Sequence, residues 1–344
     1  MRRRALLQGV LAAGAAAAGG TVTGRPAAAA TNYLIVTVEQ SANQIQRFSN
    51  GTTNWNGTPD WYWSAPAADN SSPWYRLSDV KRRLTASWGA VLVCTSSGTS
   101  DLGGRAAMIR ESDKAIVWST IVPGNPHSIE RIDGYGAIVT ASSRARVFGA
   151  TKNDWQNGGG INVFVPAAPG GAPSTSFADS ISVGFPGAHG VWWDDVNELL
   201  VATGKNELRA YRLVTNAGGV ITGLSLETSL ALIGVGHDVL PDYSSDKIFY
   251  TVGGDSSNPG RGIWETTLVR DASAGTWSFA APTRIHDWLF TKSYSRLPDG
   301  TGFWQDAPDA NEWWSDTIGF SGRADSVRTG ARFYKARFWA HTLT

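Results

Sequence analysis

Ala188-His189-Gly190-Val191-Trp192-Trp193-Asp194, followed after a short turn by Glu198-Leu199-Leu200-Val201-Ala202, is the stretch from which the rest of the chain can be read. Both runs are short, rich in β-branched and aromatic residues, and separated by Asp and Asn. That is the pattern of two strands joined by a tight turn. The phrase returns along the chain. His127-Ser128-Ile129 precedes Gly136-Ala137-Ile138-Val139-Thr140, and His237-Asp238-Val239 precedes Lys247-Ile248-Phe249-Tyr250. Asp79-Val80-Lys81 precedes Gly89-Ala90-Val91-Leu92-Val93-Cys94, and Lys292-Ser293-Tyr294 precedes Gly302-Phe303-Trp304. Each unit returns through a run such as Ala106-Ala107-Met108-Ile109 or Leu208-Arg209-Ala210-Tyr211-Arg212, often with a further strand such as Ala115-Ile116-Val117-Trp118. A repeat of about 45–60 residues and about four strands has the size of a propeller blade.

Hairpins centred on 34–48, 90–110, 137–164, 198–213, 247–269 and 302–320 predict an all-β propeller of six blades, with seven as the alternative. No segment keeps a long 3.6-residue apolar period. The first hairpin lacks an innermost strand before Tyr33, so the run Ala331-Arg332-Phe333-Tyr334 or its neighbours is expected to close the ring against it. Closure removes exposed sheet edges. The Gly-, Pro-, Ala- and Ser-rich stretch 166–188 reads as a long loop between strands, and no domain boundary interrupts 31–344.

Residues 1–30 read as a targeting segment. Arg3-Arg4-Ala5-Leu6-Leu7 has the form of a twin-arginine export signal, and Ala28-Ala29-Ala30 that of a small-residue cleavage site, so an extracellular protein is expected. A single cysteine, Cys94 in the apolar run Val91-Leu92-Val93-Cys94, rules out an intrachain disulfide and reads as a buried small hydrophobe. A formal charge of +1 gives no footprint for nucleic acid, and no run after residue 31 is apolar enough to span a membrane. Nothing points to an obligate partner chain, and a monomer is expected. Asn50-Gly51-Thr52, Asn56-Gly57-Thr58 and Asn70-Ser71-Ser72 match the glycosylation sequon but read as turns.

Innermost strands of a propeller line its channel, so equivalent repeat positions fall on one ring. The alignment above places Asp79, His127, His189, His237 and Lys292 at one position, which takes three of the five histidines in the chain. Two chemistries fit. Neutral imidazoles at His127, His189 and His237 suit a divalent metal ion, with Asp79 or Asp238 completing or orienting the shell. Alternatively, a histidine acts as base or acid, while Lys81 and Lys292 supply positive charge to a carboxylate or a developing oxyanion. Arg105 and Arg261, in hairpin loops, are weaker candidates. His286 and His341 read as structural or exposed. Separations of 62 and 48 residues between the three histidines match no short metal motif, so the signal depends on the fold.

Trp55, Trp61, Trp63 and Trp74 cluster before the second blade, and Trp192-Trp193 and Trp313-Trp314 lie in or near later ones. Most of the sixteen tryptophans are expected to pack between blades. Trp74, with Tyr75 beside it, and Trp155 sit in polar, loop-like contexts and are the ones expected to be exposed for stacking on a sugar ring.

Ser78-Asp79-Val80-Lys81, Asn125-Pro126-His127-Ser128, Ala188-His189-Gly190-Val191-Trp192-Trp193-Asp194 and Gly236-His237-Asp238-Val239 together resemble a family of secreted bacterial propeller proteins without an assigned activity. More distantly, the arrangement is similar to propeller-fold polysaccharide lyases acting on oligogalacturonate, ulvan or rhamnose-capped glucuronate. That resemblance implies channel histidines, in some cases with a metal, performing β-elimination beside a uronate carboxylate. His127, His189 and His237 would then hold the base and any metal, and Lys81 or Lys292 the carboxylate. No flanking glutamine ligand accompanies the third histidine, where Asp238 follows instead. The expectation is an extracellular carbohydrate-active enzyme with a glycan substrate. The alternatives are a glycoside hydrolase using Asp79 and Asp238, with Glu39 and Asp306 in reach, or a propeller that only binds glycan or protein.

Overall fold

A computed structural model describes residues 33–99, 102–144, 158–309 and 311–340. The expected export segment, Trp155 and His341 lie outside these residues. Within them the chain is all-β apart from one 3-10 turn at Asp133–Tyr135. No helix among the described residues is long and apolar enough to cross a membrane.

Six separate antiparallel sheets form a six-bladed propeller. From the innermost strand outward, the first blade consists of Phe333–Phe338, Leu34–Glu39, Gln44–Ser49 and Trp61–Ser64. The second is Leu77–Thr85, Gly89–Ser96, Gly104–Arg110 and Ile116–Val122. The third is Pro126–Ile132, Ala137–Ser142, Gly160–Phe164 and Ile181–Gly184. The fourth is Gly190–Asp194, Leu199–Thr203, Glu207–Thr215 and Ile221–Ala231. The fifth is Val235–Pro241, Lys247–Gly253, Gly262–Asp271 and Thr276–Phe279, with Thr283–His286 also paired to the third of these. The sixth is Thr291–Arg296, Gly302–Asp306, Thr317–Phe320 and Ser326–Val327. The expected loop 166–188 therefore contains a strand, Ile181–Gly184, the outer edge of the third blade.

The ring closes as anticipated. Ile35 pairs with Phe338 and Glu39 with Phe333, so the C-terminal strand becomes the innermost strand of the N-terminal blade. It brings Phe333, Tyr334 and Ala336 into apolar clusters with Val36, Val38, Trp55 and Phe303. Facing blades pack through fully buried strand residues such as Val91, Val93, Ile129 and Ile138. Alternation along a strand sends successive side chains to opposite faces, and each face meets a neighbouring blade. That is why these strands read as nearly continuous apolar runs. Cys94 is buried in this core, and burial pushes its thiol far up, as suits a packing residue.

Candidate functional site

A repeated irregularity builds the site. Where the innermost strand starts in five of the six blades, its pairing with the next strand slips by one residue. The slip falls between Leu77 and Asp79, between Pro126 and Ser128, between Gly236 and Asp238, and between Thr291 and Ser293. In the first blade, Glu39 pairs with Phe333 while Thr37 pairs with Ala336, which again leaves one residue over. A β-bulge re-aims the extra side chain instead of alternating it into the blade face. The residues so placed are Ser78, His127, His237 and Lys292, with Tyr334 and Lys335 in the closing strand. In the fourth blade His189 precedes the strand and donates its main-chain N–H to Thr203.

The three expected histidines therefore do converge. The His127 and His189 rings stack, centroids 4.3 Å apart and planes 10° from parallel, and His237 meets His189 edge-on at 4.9 Å. Lys292 Nζ lies 3.4 Å from His237 Nε2. Gly253 makes room for this contact, since a Cβ there would come within 2.3 Å of His237 Nε2. Asp79, by contrast, does not share the ring position. The bulge gives that place to Ser78 and moves Asp79 one step deeper, level with Asp238.

Hydrogen bonds fix the imidazole tautomers. His189 Nδ1 lies 2.6 Å from the Gly187 carbonyl, so it carries the proton and Nε2 the lone pair. Asn125, itself in the left-handed region at φ 63°, donates from Nδ2 to His127 Nε2 at 3.0 Å. His127 Nδ1 then faces the Tyr334 hydroxyl at 3.1 Å. With Lys292 donating to Nε2 of His237, the Nδ1–H of His237 is buried without an acceptor among the described residues.

Burial, reinforced by the surrounding cations, holds all three imidazoles neutral. Desolvation lowers His189 to about 3. Desolvation, the neighbouring histidines, Lys335, Lys292 and, for His127, Arg144 push His127 and His237 well below the ordinary histidine value. Burial brings Lys292 down to about 8, so at neutral pH it remains largely an ammonium. Asp306, across the pairing from Thr291, is raised to about 6, chiefly by burial.

Below this rim the channel is filled by charged side chains from opposite blades. Lys335 donates to the carbonyls of His127, His189 and His237 at 3.0, 3.2 and 3.2 Å. Arg337 binds Asp238 through both oxygens, at 2.7 and 2.8 Å, and Asp79 at 2.8 Å. Lys81 donates to the carbonyls of Ile129 and Val191 and lies 3.5 Å from Glu130, which also holds Arg83. Lys81, Asp79, Glu130, Asp238, Lys335 and Arg337 are all at most 2% exposed. Lys81, Asp79 and Asp238 were expected at the site. They are instead the mutually neutralising filling beneath it, and Arg337 keeps Asp79 well below the usual carboxylate range despite burial.

The aromatic expectation is corrected in part. Trp74 is buried against Trp63, with Arg105 over its face, because its loop folds back into the core rather than out to solvent. Trp55, Trp63, Trp192 and Trp193 are core as well, and among the described tryptophans Trp313, at 36%, is the exposed one. Arg261 is engaged by the Ser256 and Asn258 carbonyls, and lies 3.8 Å from Asp287. His286, as expected, is structural, stacked on Trp288 in an outer strand. Glu39 is committed to the Ser41, Ala42 and Arg332 main-chain N–H groups.

The trio does not fit a metal ion. Lone pairs of an imidazole lie in the ring plane, so two rings stacked face to face cannot aim nitrogens at one point between them. Nδ1 of His189 is already spent on Gly187, and both nitrogens of His127 have partners. Among the described residues no group of three His, Cys, Asp or Glu side chains is arranged to hold a metal.

Tyr334, Lys335 and Arg337 were not anticipated at the site. The available signal was that a ring-closing strand is itself an innermost strand, so its charged residues must face the axis.

No protein-family model matches the chain, and neither does any curated protein. Solved structures do resemble it. The β-propeller domain of Cps50 (Swd1) from Myceliophteria thermophila is 7% identical, with 88% of this chain and 84% of that one covered and a TM-score of 0.49. A functionally unknown protein from Desulfotomaculum acetoxidans is 11% identical, with 91% and 100% covered and a TM-score of 0.49. A protein named as a candidate 6-phosphogluconolactonase, from Bacteroides uniformis, is 10% identical, with 89% and 99% covered and a TM-score of 0.49. At such identities no residue's role transfers to this chain.

Proposed function

We propose that the histidine mouth binds a carboxylate-bearing glycan and acts on it by acid–base chemistry, with β-elimination beside a uronate as the reading best supported. The observation that carries it is Lys292. Its ammonium is partly buried, its hydrogen-bond partner is a neutral imidazole, and no carboxylate lies within ion-pairing distance of it among the described residues. A partly desolvated cation without a counter-ion is costly, and an incoming anion relieves it.

In this reading Lys292 receives the uronate carboxylate beside His237. His189, its Nδ1–H anchored on Gly187, takes the C5 proton at Nε2. The electron pair forms the C4=C5 bond and expels the C4 oxygen, which takes its proton from the His127–Tyr334 pair. Without a bound anion, His189 is too weak a base. A bound carboxylate offsets the cationic field and moves it toward the range in which general bases work. No step uses a metal. A two-carboxylate hydrolase finds less support, since Asp79 and Asp238 are clamped on one guanidinium.

The protein is proposed to act outside the cytoplasm, exported through residues 1–30, and as a monomer. The test is the mature protein with a panel of uronate-containing polysaccharides, followed by ultraviolet absorbance of the conjugated unsaturated uronate. Lyase activity predicts an absorbance increase that His189→Ala and Lys292→Met abolish. Reducing ends without absorbance would replace the reading with hydrolysis, and binding without turnover would replace it with recognition alone.

A further inference from the structure

We infer that Lys335 is a positioning residue for the histidine mouth, a tethered cation on the axis that holds the main chains of His127, His189 and His237 together. The geometry is specific. One ammonium has three N–H donors, and the three carbonyls it meets belong to the three histidines, one from each of three successive blades. Asp238 Oδ1, at 3.3 Å, balances its charge from the fifth blade. Lys335 is fully buried and arrives on the strand that closes the ring. Closing the ring and assembling the histidines are therefore one event.

The same ammonium acts on the imidazoles through space. The charged and titratable groups around them are Tyr334 and Lys335 from the first blade, Arg144 from the third, Asp238 from the fifth and Lys292 from the sixth. Beneath Lys335 lie Asp79, Lys81 and Arg337. Lys335 is the cation that touches all three histidine residues, so its charge bears on each ring.

The inference holds whether or not the mouth is a lyase, and its test needs no substrate. Histidine ring protons are titrated by NMR in the wild type and in Lys335→Met, which keeps the side-chain length and removes the charge. The apparent pKa values of His127, His189 and His237 are expected to rise together by about one unit, while that of His286 stays put. A folded variant with unchanged ring titrations overturns the inference. Should the variant not fold, the wild type decides. ¹⁵N spectra are expected to show a slowly exchanging Lys335 ammonium coupled across hydrogen bonds to the three histidine carbonyls. A neutral or rapidly exchanging amine overturns it equally.

Discussion

The imidazole of His127 lies flat on that of His189, centroids 4.3 Å apart. Protonating either ring places a charge against its neighbour and against Lys292 and Lys335, so the pair resists the first proton and resists the second more.

Acid should therefore weaken the fold from an unusually high pH. The folded-state pKa of each of these histidines is depressed, while the unfolded chain titrates near 6.5. Below that value the unfolded state binds protons the folded state refuses, so stability falls with pH, for His189 down to about 3. The slope approaches about 1.4 kcal/mol per pH unit for each imidazole. Asp306, raised to about 6, acts with the opposite sign but is one group against three. Denaturant midpoints from pH 7 to 4.5 check this. A flat profile would mean that the rings protonate in place.

On the alkaline side Lys292 contributes with a definite sign. Its folded pKa of about 8 lies below the unfolded 10.5, so between these values the unfolded state holds the extra proton. This group's contribution therefore rises with pH across the window. Subtracting the Lys292→Met profile from that of the wild type, measured between pH 7.5 and 10.5, should expose the rise. Parallel profiles would count against a desolvated Lys292 ammonium.

Asp79→Asn removes one of the carboxylates on Arg337 and is expected to cost about 3–5 kcal/mol, the usual penalty for leaving a buried charge unpaired. Arg337→Met should cost a similar amount, and the double variant less than the sum. Additive losses by urea denaturation would show that the contact carries no coupling.

Gly253→Ala forces a Cβ to within 2.3 Å of His237 Nε2, so that ring must leave Lys292. Stability should change by about 1–3 kcal/mol, as for other overpacking changes. Turnover or glycan affinity should fall far more than that change explains. Equal activity at reduced stability would remove His237 from the site.

Ending the chain before Phe333 should leave no cooperative transition, because the first blade loses its innermost strand and the column loses Lys335 and Arg337. Retained cooperative melting by circular dichroism would contradict this.

The repeat, the six hairpins and the closing strand could be read from residues, because apolar strands bounded by turn residues recur with one spacing. His127, His189 and His237 could be placed on one rim for the same reason. The off-by-one position of Asp79 could not. A bulge inserts its residue without any composition signal, and Ser78 looks like an ordinary strand residue. Trp74 misled because a polar loop sequence says nothing about the direction in which the loop folds. Lys81 and Asp238 were placed on the axis rightly, but their depth depends on Lys335 and Arg337, which lie some 250 and 100 residues away in sequence.

The column of Lys335, Arg337, Asp79, Asp238, Lys81 and Glu130 makes the disc solid at its centre. On the proposed reading, a long polymer would drape across the face that bears the imidazoles rather than thread end-first through the axis. Cleavage or recognition at that face would then be open to interior positions of a chain as readily as to its tips.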